Sequence, residues 1–348
     1  MILLKIILIP VSFLYSVVIF LRNKFYEFGI FKTTELSKPV VSIGNITTGG
    51  TGKTPLVIFT AEYYLKKGLK VGIISRGYNR KSGETVIVCD GKNINTNPEE
   101  SGDELIMIAN ELEKNFKGNF FIAADKDRIK VAKLLIEKFN VDIIILDDGY
   151  QHRKIHRDVN IAVIDAADHY NNVMNNLFLI PSGNLRESHS NLERADIIIQ
   201  NNKTSKLEII PFLSERYRNI ILMRYKTEYF IDIKNIILSK TENSYPDAVL
   251  FSGIANDDSF LKLIKNEGIN IIKNIKYSDH YNYEEPDIDF LKSQYKENSV
   301  FITTEKDFVK VKNFEKFIFK YPVYFLKLKI EFTENYEFFC KKLDDAIK

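Results

Sequence analysis

Apolar runs of strand length, each followed by a polar cluster, recur through the first half of the chain. They are Val40-Val41-Ser42-Ile43, Val71 to Ser75, Glu84 to Cys89, Phe120 to Ala124, Val141 to Leu146 and Ile161 to Ile164. Segments with helical spacing separate them. Leu56 to Lys67 is closed by Gly68. Asp103 opens a run whose apolar positions are Leu105, Ile106, Ile108, Ala109 and Leu112, and Asp127 to Phe139 is a third helix. This alternation predicts an α/β fold of right-handed βαβ units, with a mostly parallel sheet and helices on both faces. Such sheets bind ligands at the carboxyl ends of their strands, where the polar clusters fall.

The second half keeps a looser rhythm. Apolar runs at Ile197–Ile199, Ile220–Met223, Ala248–Phe251, Ile269–Ile272, Val300–Ile302 and Val323–Leu328 alternate with Asn-, Lys- and Tyr-rich connections. The pattern predicts three parts: an amino-terminal membrane-associated helix over 1–30, a core domain over 31–190 and a smaller α/β domain over 191–348. Met1 to Leu21 is almost wholly apolar, with Lys5 its only charge. As a helix it would reach roughly 30 Å, about one bilayer core. Arg22, Lys24 and Lys32 follow, which by the positive-inside rule places the body of the chain in the cytoplasm. A cleaved signal peptide is disfavoured, because no small-residue cleavage site follows. A helix lying in the interface, which Pro10 allows, and a helix buried in the core are the other readings.

Composition adds limits. At 348 residues the chain has room for a large α/β domain and a smaller one, and 45% apolar content is ordinary for a globular protein. A formal charge of +3 is too small to argue for nucleic acid. No nucleic-acid partner and no obligate protein partner is expected. Cys89 and Cys340 have neither zinc nor redox spacing and fit a reducing compartment.

The chemistry begins where the first strand ends, at Gly44-Asn45-Ile46-Thr47-Thr48-Gly49-Gly50-Thr51-Gly52-Lys53-Thr54-Pro55. Strand, glycine-rich loop and helix form a phosphate cradle. Glycines turn successive N–H groups toward one anion, and the helix N-terminus adds its positive end. Gly49, Gly50, Thr51 and Gly52 would wrap the phosphates of ATP, Lys53 would reach the β- and γ-phosphates, and the Thr54 hydroxyl would bind Mg²⁺. Thr47 stands where the strict pattern has glycine, which leaves the turn to Gly49, Gly50 and Gly52. A second strand end, Leu146-Asp147-Asp148, delivers carboxylates of the kind that hold Mg²⁺ directly or through water. His152, His156 and Asp158 lie nearby, but magnesium prefers oxygen. Asp103 reads either as a helix N-cap or as a general base. Arg128 reads as a solvated helix residue or as a phosphate clamp with a planar fork. Arg186-Glu187 reads as a surface ion pair, and His280 as a structural hydrogen-bonder or a catalyst.

Several stretches recur in one family order. They are Ser42-Ile43-Gly44-Asn45 with Gly49 to Pro55, Ser75-Arg76-Gly77-Tyr78, Gly102-Asp103-Glu104 and Asp147-Asp148-Gly149-Tyr150-Gln151-His152. Pro181-Ser182-Gly183-Asn184-Leu185-Arg186-Glu187, Phe251-Ser252-Gly253-Ile254-Ala255-Asn256, Asp279-His280 and Thr303-Thr304-Glu305-Lys306-Asp307 continue the series. Together they resemble the tetraacyldisaccharide 4'-kinase family, the lipid A 4'-kinases of Gram-negative bacteria. Tyr150 stands where Leu or Phe is usual, and Asp257 where Pro often follows Ala-Asn. The resemblance implies ATP-dependent phosphorylation of the 4'-hydroxyl of a tetraacylated glucosamine disaccharide 1-phosphate, giving lipid IVA. It implies a phosphate-loop core, a smaller second domain and a cleft between them, at the cytoplasmic face of the bacterial inner membrane. It also implies Asp103 as base with His280 its partner, and Lys53 and Thr54 for ATP and Mg²⁺. Asp147 and Asp148 would form the metal region. Arg128, Arg186 and Glu187 would make phosphate or metal contacts, and Gln151 and His152 would line the site.

Two other phosphate-loop classes fit less well. A regulatory GTPase needs N-K-x-D, and Asn202-Lys203-Thr204-Ser205 ends in Ser. A partitioning ATPase of the deviant type carries Lys just before its paired glycines, where this chain has Thr48.

Overall fold

The computed structural model describes the chain except residues 1, 78–82, 172–175, 205–207, 241–243 and 255–256. Tyr78, Ser205 and Ala255-Asn256, quoted above, lie outside the described residues. The chain divides into two units, Met1–Arg224 with Phe332–Lys348, and Tyr225–Glu331.

The first unit holds β1 (Val40–Gly44), β2 (Val71–Ser75), β3 (Val86–Cys89), β4 (Phe120–Ala124), β5 (Ile143–Asp147), β6 (Val159–Asp165), β7 (Ile197–Asn201) and the first part of β8 (Ile220–Ile231). Their order is β8-β7-β6-β1-β5-β2-β4-β3. All pair in parallel except β3, which runs antiparallel to β4. Strands β1, β2, β4, β5, β6 and β7 are buried along their whole length. Burial on both faces is why they read as unbroken apolar runs rather than as alternation. The helices that precede or cover the sheet are α1 (Ile2–Ile7), α2 (Ile9–Glu27), α3 (Lys53–Lys66), α4 (Pro98–Ser101), α5 (Asp103–Phe116) and α6 (Arg128–Phe139). The apolar positions expected for α5 are all buried. On α6, Val131, Ala132 and Leu135 pack with Ile74, Ala123, Ile144 and Leu146 of the strands. Strand β1 lies between β5 and β6, where the direction of strand addition reverses. That reversal opens the crevice such sheets use for ligands.

The expected boundary near residue 190 differs from this division. Ile161 of β6 pairs with Ile197 of β7, and Ile198 of β7 with Ile220 of β8, so the first sheet continues past it. The last helix, Tyr336–Asp345, also belongs to this unit, and Tyr64 Oη of α3 donates to Leu343 O at 2.9 Å. Long-range pairing sets the boundary, and composition does not encode it.

The amino terminus differs too. The expected single helix is two, parted at Leu8, with Pro10 in the first turn of α2, where its missing N–H costs nothing. Phe13, Leu14, Val18 and Phe20 are exposed, while Ser12 and Asn23 are the buried residues of α2. Among the described residues no helix is long and apolar enough to cross a membrane.

In the second unit β9 (Ala248–Ser252), β10 (Ile271–Lys276), β11 (Val300–Thr304) and β12 (Val323–Phe332) lie in the order β10-β9-β11-β12, all parallel. The two faces alternate along β9. Val249 and Phe251 join a core with Phe301 and Phe317, and Ala248 and Leu250 join one with Ile264 and Ile302.

Candidate active site

The glycine-rich loop leaves β1 at Gly44 and enters α3 at Lys53, three residues ahead of the predicted helix start. Gly52 takes φ 92°, a left-handed conformation that a side chain would strain, and this lets the helix begin at Lys53. Thr47 keeps an ordinary backbone and forms a β-bridge with Leu185, so no glycine is required there. Thr48 N–H donates to Asn184 O and Arg186 N–H to Ile46 O, each at 2.7 Å. The loop is also braced from inside. Asn45 Nδ2 donates to Thr51 Oγ1 at 3.1 Å, Gln151 Nε2 to Asn45 O at 2.8 Å, and Asn201 Nδ2 to Thr51 O at 2.9 Å.

The end of β5 meets this loop at close quarters, since Ile43 pairs with Asp147. A Cβ on Gly44 would lie 2.6 Å from Tyr150 N, and one on Gly149 would lie 2.5 Å from Ser42 Oγ. Between them Asp148 adopts φ 49°. A left-handed non-glycine residue costs about 1 kcal/mol or more. The carboxylate faces two cations, Lys53 Nζ at 3.3 Å and Arg186 Nη1 at 2.9 Å, and Arg128 Nη1 donates to its carbonyl at 3.0 Å. Burial pushes the Asp148 carboxyl up, but Lys53 and Arg186 outweigh it and hold it well below the usual carboxylate range.

Asp147 is the opposite case. Burial first, then the Glu104 and Asp148 carboxylates, push it up to about 7. Its Oδ1 is buried with no hydrogen-bond partner. A carboxylate oxygen left bare between acidic neighbours is the ligand a hard divalent cation takes. Among the described residues no three His, Cys, Asp or Glu side chains form a metal cluster, so such a site would lean on this pair, on a hydroxyl and on water.

Other expected residues fall as follows. Gly102 is the N-cap of α5 and Asp103 its first helical residue, so the cap reading of Asp103 does not hold. The Asp103 side chain accepts from Glu104 N–H at 3.1 Å, and it is 7% exposed. Glu104, the next residue, is one of the carboxylates that raise Asp147. Arg128 is buried rather than solvated, and that burial lowers its pKa. Glu187 is not a surface partner of Arg186. It is fully buried, and its Oε2 accepts from Arg194 at 2.6 Å and from Asn23 Nδ2 at 3.0 Å. Burial, then Arg128, lowers His152 to about 4, which keeps the ring neutral.

Sequence reasoning assigned no role to Asn23, Ser75, Glu104, Arg194 or Asn201. The signal for Asn23 was a polar residue at the close of a long apolar run, set between Arg22 and Lys24, which read as a membrane flank. Tyr150, the departure noted above, is buried and donates its Oη to Asn191 O at 2.6 Å.

In the second unit the motif residues gather at the carboxyl ends of β9, β10 and β11. Asp307, fully buried, accepts from Gly253 N–H at 3.0 Å, Tyr283 Oη at 2.9 Å and Thr304 Oγ1 at 2.6 Å. His280 follows β10 at φ 58°, and its N–H donates to Gly253 O at 3.0 Å. Asp307 and Gly253 thus shape the turn that carries His280.

A parallel sheet with a glycine-rich loop at its switch point, closed by Lys53 and flanked by an aspartate pair, defines a phosphate-loop enzyme of the nucleotide-dependent class. A solved structure of LpxK from Aquifex aeolicus in complex with ATP matches with a TM-score of 0.79 at 31% identity, covering 99% of this chain and 100% of that one. The tetraacyldisaccharide 4'-kinase of Aquifex aeolicus is 35% identical over 315 residues, 88% of this chain and 90% of that one. That of Wigglesworthia glossinidia brevipalpis is 34% identical over 341 residues, 98% of this chain and 83% of that one. The chain belongs to the LpxK family, the tetraacyldisaccharide-1-phosphate 4'-kinases, whose profile it matches over residues 4–348.

Proposed function

We propose that this kinase transfers the γ-phosphate of ATP to the 4'-hydroxyl of a tetraacyldisaccharide 1-phosphate, forming lipid IVA. The observation that carries the reading is Asp148 held between Lys53 and Arg186 beside the phosphate loop. In that arrangement Asp148 keeps two cations in place until a triphosphate takes over their charge. Phosphoryl transfer needs mainly positioning and charge neutralisation. The loop 49–52 and Lys53 grip the phosphates, and Arg186 and Arg128 clamp them. Asp103 accepts the proton of the sugar hydroxyl, and His280, assigned by motif, is its partner. Gln151 and neutral His152 line the site as hydrogen-bonding groups. Thr54, Asp147 and Asp148 would hold Mg²⁺, and the bare Oδ1 of Asp147 supports that assignment. Glu187, taken up by Arg194 and Asn23, acts instead on the segment that carries Arg186. When bound, Mg²⁺ neutralises phosphate charge.

The exposed apolar face of α2 supports a place on the cytoplasmic surface of the inner membrane, with the helix lying in the interface. The acyl chains then stay in the bilayer and only the headgroup enters the site. The test is phosphotransfer from ATP to the disaccharide 1-phosphate lipid, scored by mass spectrometry. One phosphate should be added by the wild type, and about 10²–10⁴-fold more slowly by Asp103→Asn at unchanged melting temperature. ATP hydrolysis stimulated by a protein or DNA, with no lipid product, would overturn the reading.

A further inference from the structure

Helix α2 is unusual for a surface helix, because Phe13, Leu14, Val18 and Phe20 point to solvent while its two buried residues, Ser12 and Asn23, are polar. The inward groups all reach functional segments. Ser12 Oγ accepts from Ser182 N–H at 2.8 Å, and Tyr15 Oη donates to Arg186 O at 3.2 Å. Arg22 Nη2 donates to Gln151 O at 2.6 Å. Asn23 Nδ2 donates to Glu187 Oε2 and to Asn191 Oδ1, each at 3.0 Å, and Asn23 O accepts from Arg153 Nη1 at 3.0 Å. The segment 182–187 passes the connection on. Its backbone braces the phosphate loop at Ile46 and Thr48, and its Arg186 side chain lies on Asp148.

We infer that α2 is a structural member of the nucleotide site, and that Asn23 is a positioning residue holding Glu187 and, through it, Arg186. Glu187 is a fully buried carboxylate, so each donor it keeps matters. An apolar residue at position 23 leaves Glu187 Oε2 with Arg194 alone, so the buried carboxylate loses one of its two donors there and the segment is drawn toward the one that remains. Arg186, the adjacent residue, moves with it. Outer partners of metal ligands typically matter at the level of about ten- to a hundredfold, and the lower end of that range is taken as the scale for a strut behind a phosphate-binding arginine. The helix taken as a membrane anchor therefore also sets nucleotide affinity where no membrane is present. This rests on the proposed contact of Arg186 with phosphate.

The experiment uses the full chain and no lipid. ATP affinity is measured by isothermal titration for wild type, Asn23→Leu, Arg186→Ala and the apolar-face pair Phe13→Ser with Val18→Ser. Vesicle co-sedimentation and thermal melting are recorded alongside. Asn23→Leu should weaken ATP binding about tenfold and leave vesicle binding unchanged. The apolar-face pair should lose vesicle binding and keep ATP affinity, a split that general loss of structure would not produce. If Asn23→Leu does not fold, Tyr15→Phe removes one donor to Arg186 O at little structural risk and should still weaken ATP binding measurably. Wild-type affinity in Asn23→Leu, or in Tyr15→Phe where that variant stands in, with weakened Arg186→Ala overturns the strut alone. Wild-type affinity in Arg186→Ala overturns the phosphate contact and the strut with it.

Discussion

Asp147→Asn should stabilise the protein while abolishing its turnover. The wild-type carboxyl is 2% exposed, and burial with Glu104 and Asp148 raises it from 3.8 to about 7. The folded state therefore binds this proton more tightly than the unfolded chain does. The site carries no penalty below the unfolded value, loses stability as pH rises toward the folded value, and pays the full cost above it. A rise from 3.8 to about 7 corresponds to a penalty of about 4 kcal/mol. Asparagine has nearly the same shape and no charge at any pH, and its amide can donate to the flanking carboxylates. Urea unfolding of the full chain in chelator, from about pH 4.5 to about pH 8.5, should show a gap between variant and wild type that opens with pH to a few kcal/mol. Magnesium should narrow the gap by stabilising the wild type. A gap that does not change with pH, or a variant less stable than wild type at the alkaline end, would refute the reasoning.

Other outcomes follow from the same geometry. Lys53→Ala leaves Asp148 with Arg186 as its remaining cation at that carboxylate and should cut turnover by on the order of a hundredfold or more, checked by steady-state phosphotransfer. Asp103→Asn should lower kcat by about 10²–10⁴-fold with the KM for ATP and the circular dichroism melt little changed. A comparable loss of ATP affinity would point to a structural role instead. Gly44→Ala should cost roughly 1–3 kcal/mol in urea unfolding, because the new Cβ meets backbone at Tyr150 that cannot swing away. Gly50→Ala, where a Cβ meets nothing within 4 Å, is its control and should unfold like wild type.

Much of the fold was legible because its signals are local. Strands β2 and β4 begin and end where their apolar runs do, and α5 buries the positions its spacing selects. The misreadings share a different cause. The run that becomes α2 is almost wholly apolar, so its sequence does not say which face meets the protein. Ser12 and Asn23 went inward because Ser182 and Glu187 lie there to receive them. Arg186 and Glu187 are neighbours in the chain, yet the first turns to Asp148 and the second to Arg194. The placement of β7 and β8 in the first sheet comes from each pairing in parallel with the strand before it, across connections whose composition does not mark where one unit ends.

The order of residues alone determined the alternating α/β architecture, the phosphate loop and the family, since runs, glycine spacing and motif order are properties of short stretches. Folding alone decided that Asp147 is raised and Asp148 depressed, although the two are adjacent carboxylates. A charge feels burial and the cations within a few ångströms, and those are set by which distant segments the fold brings together.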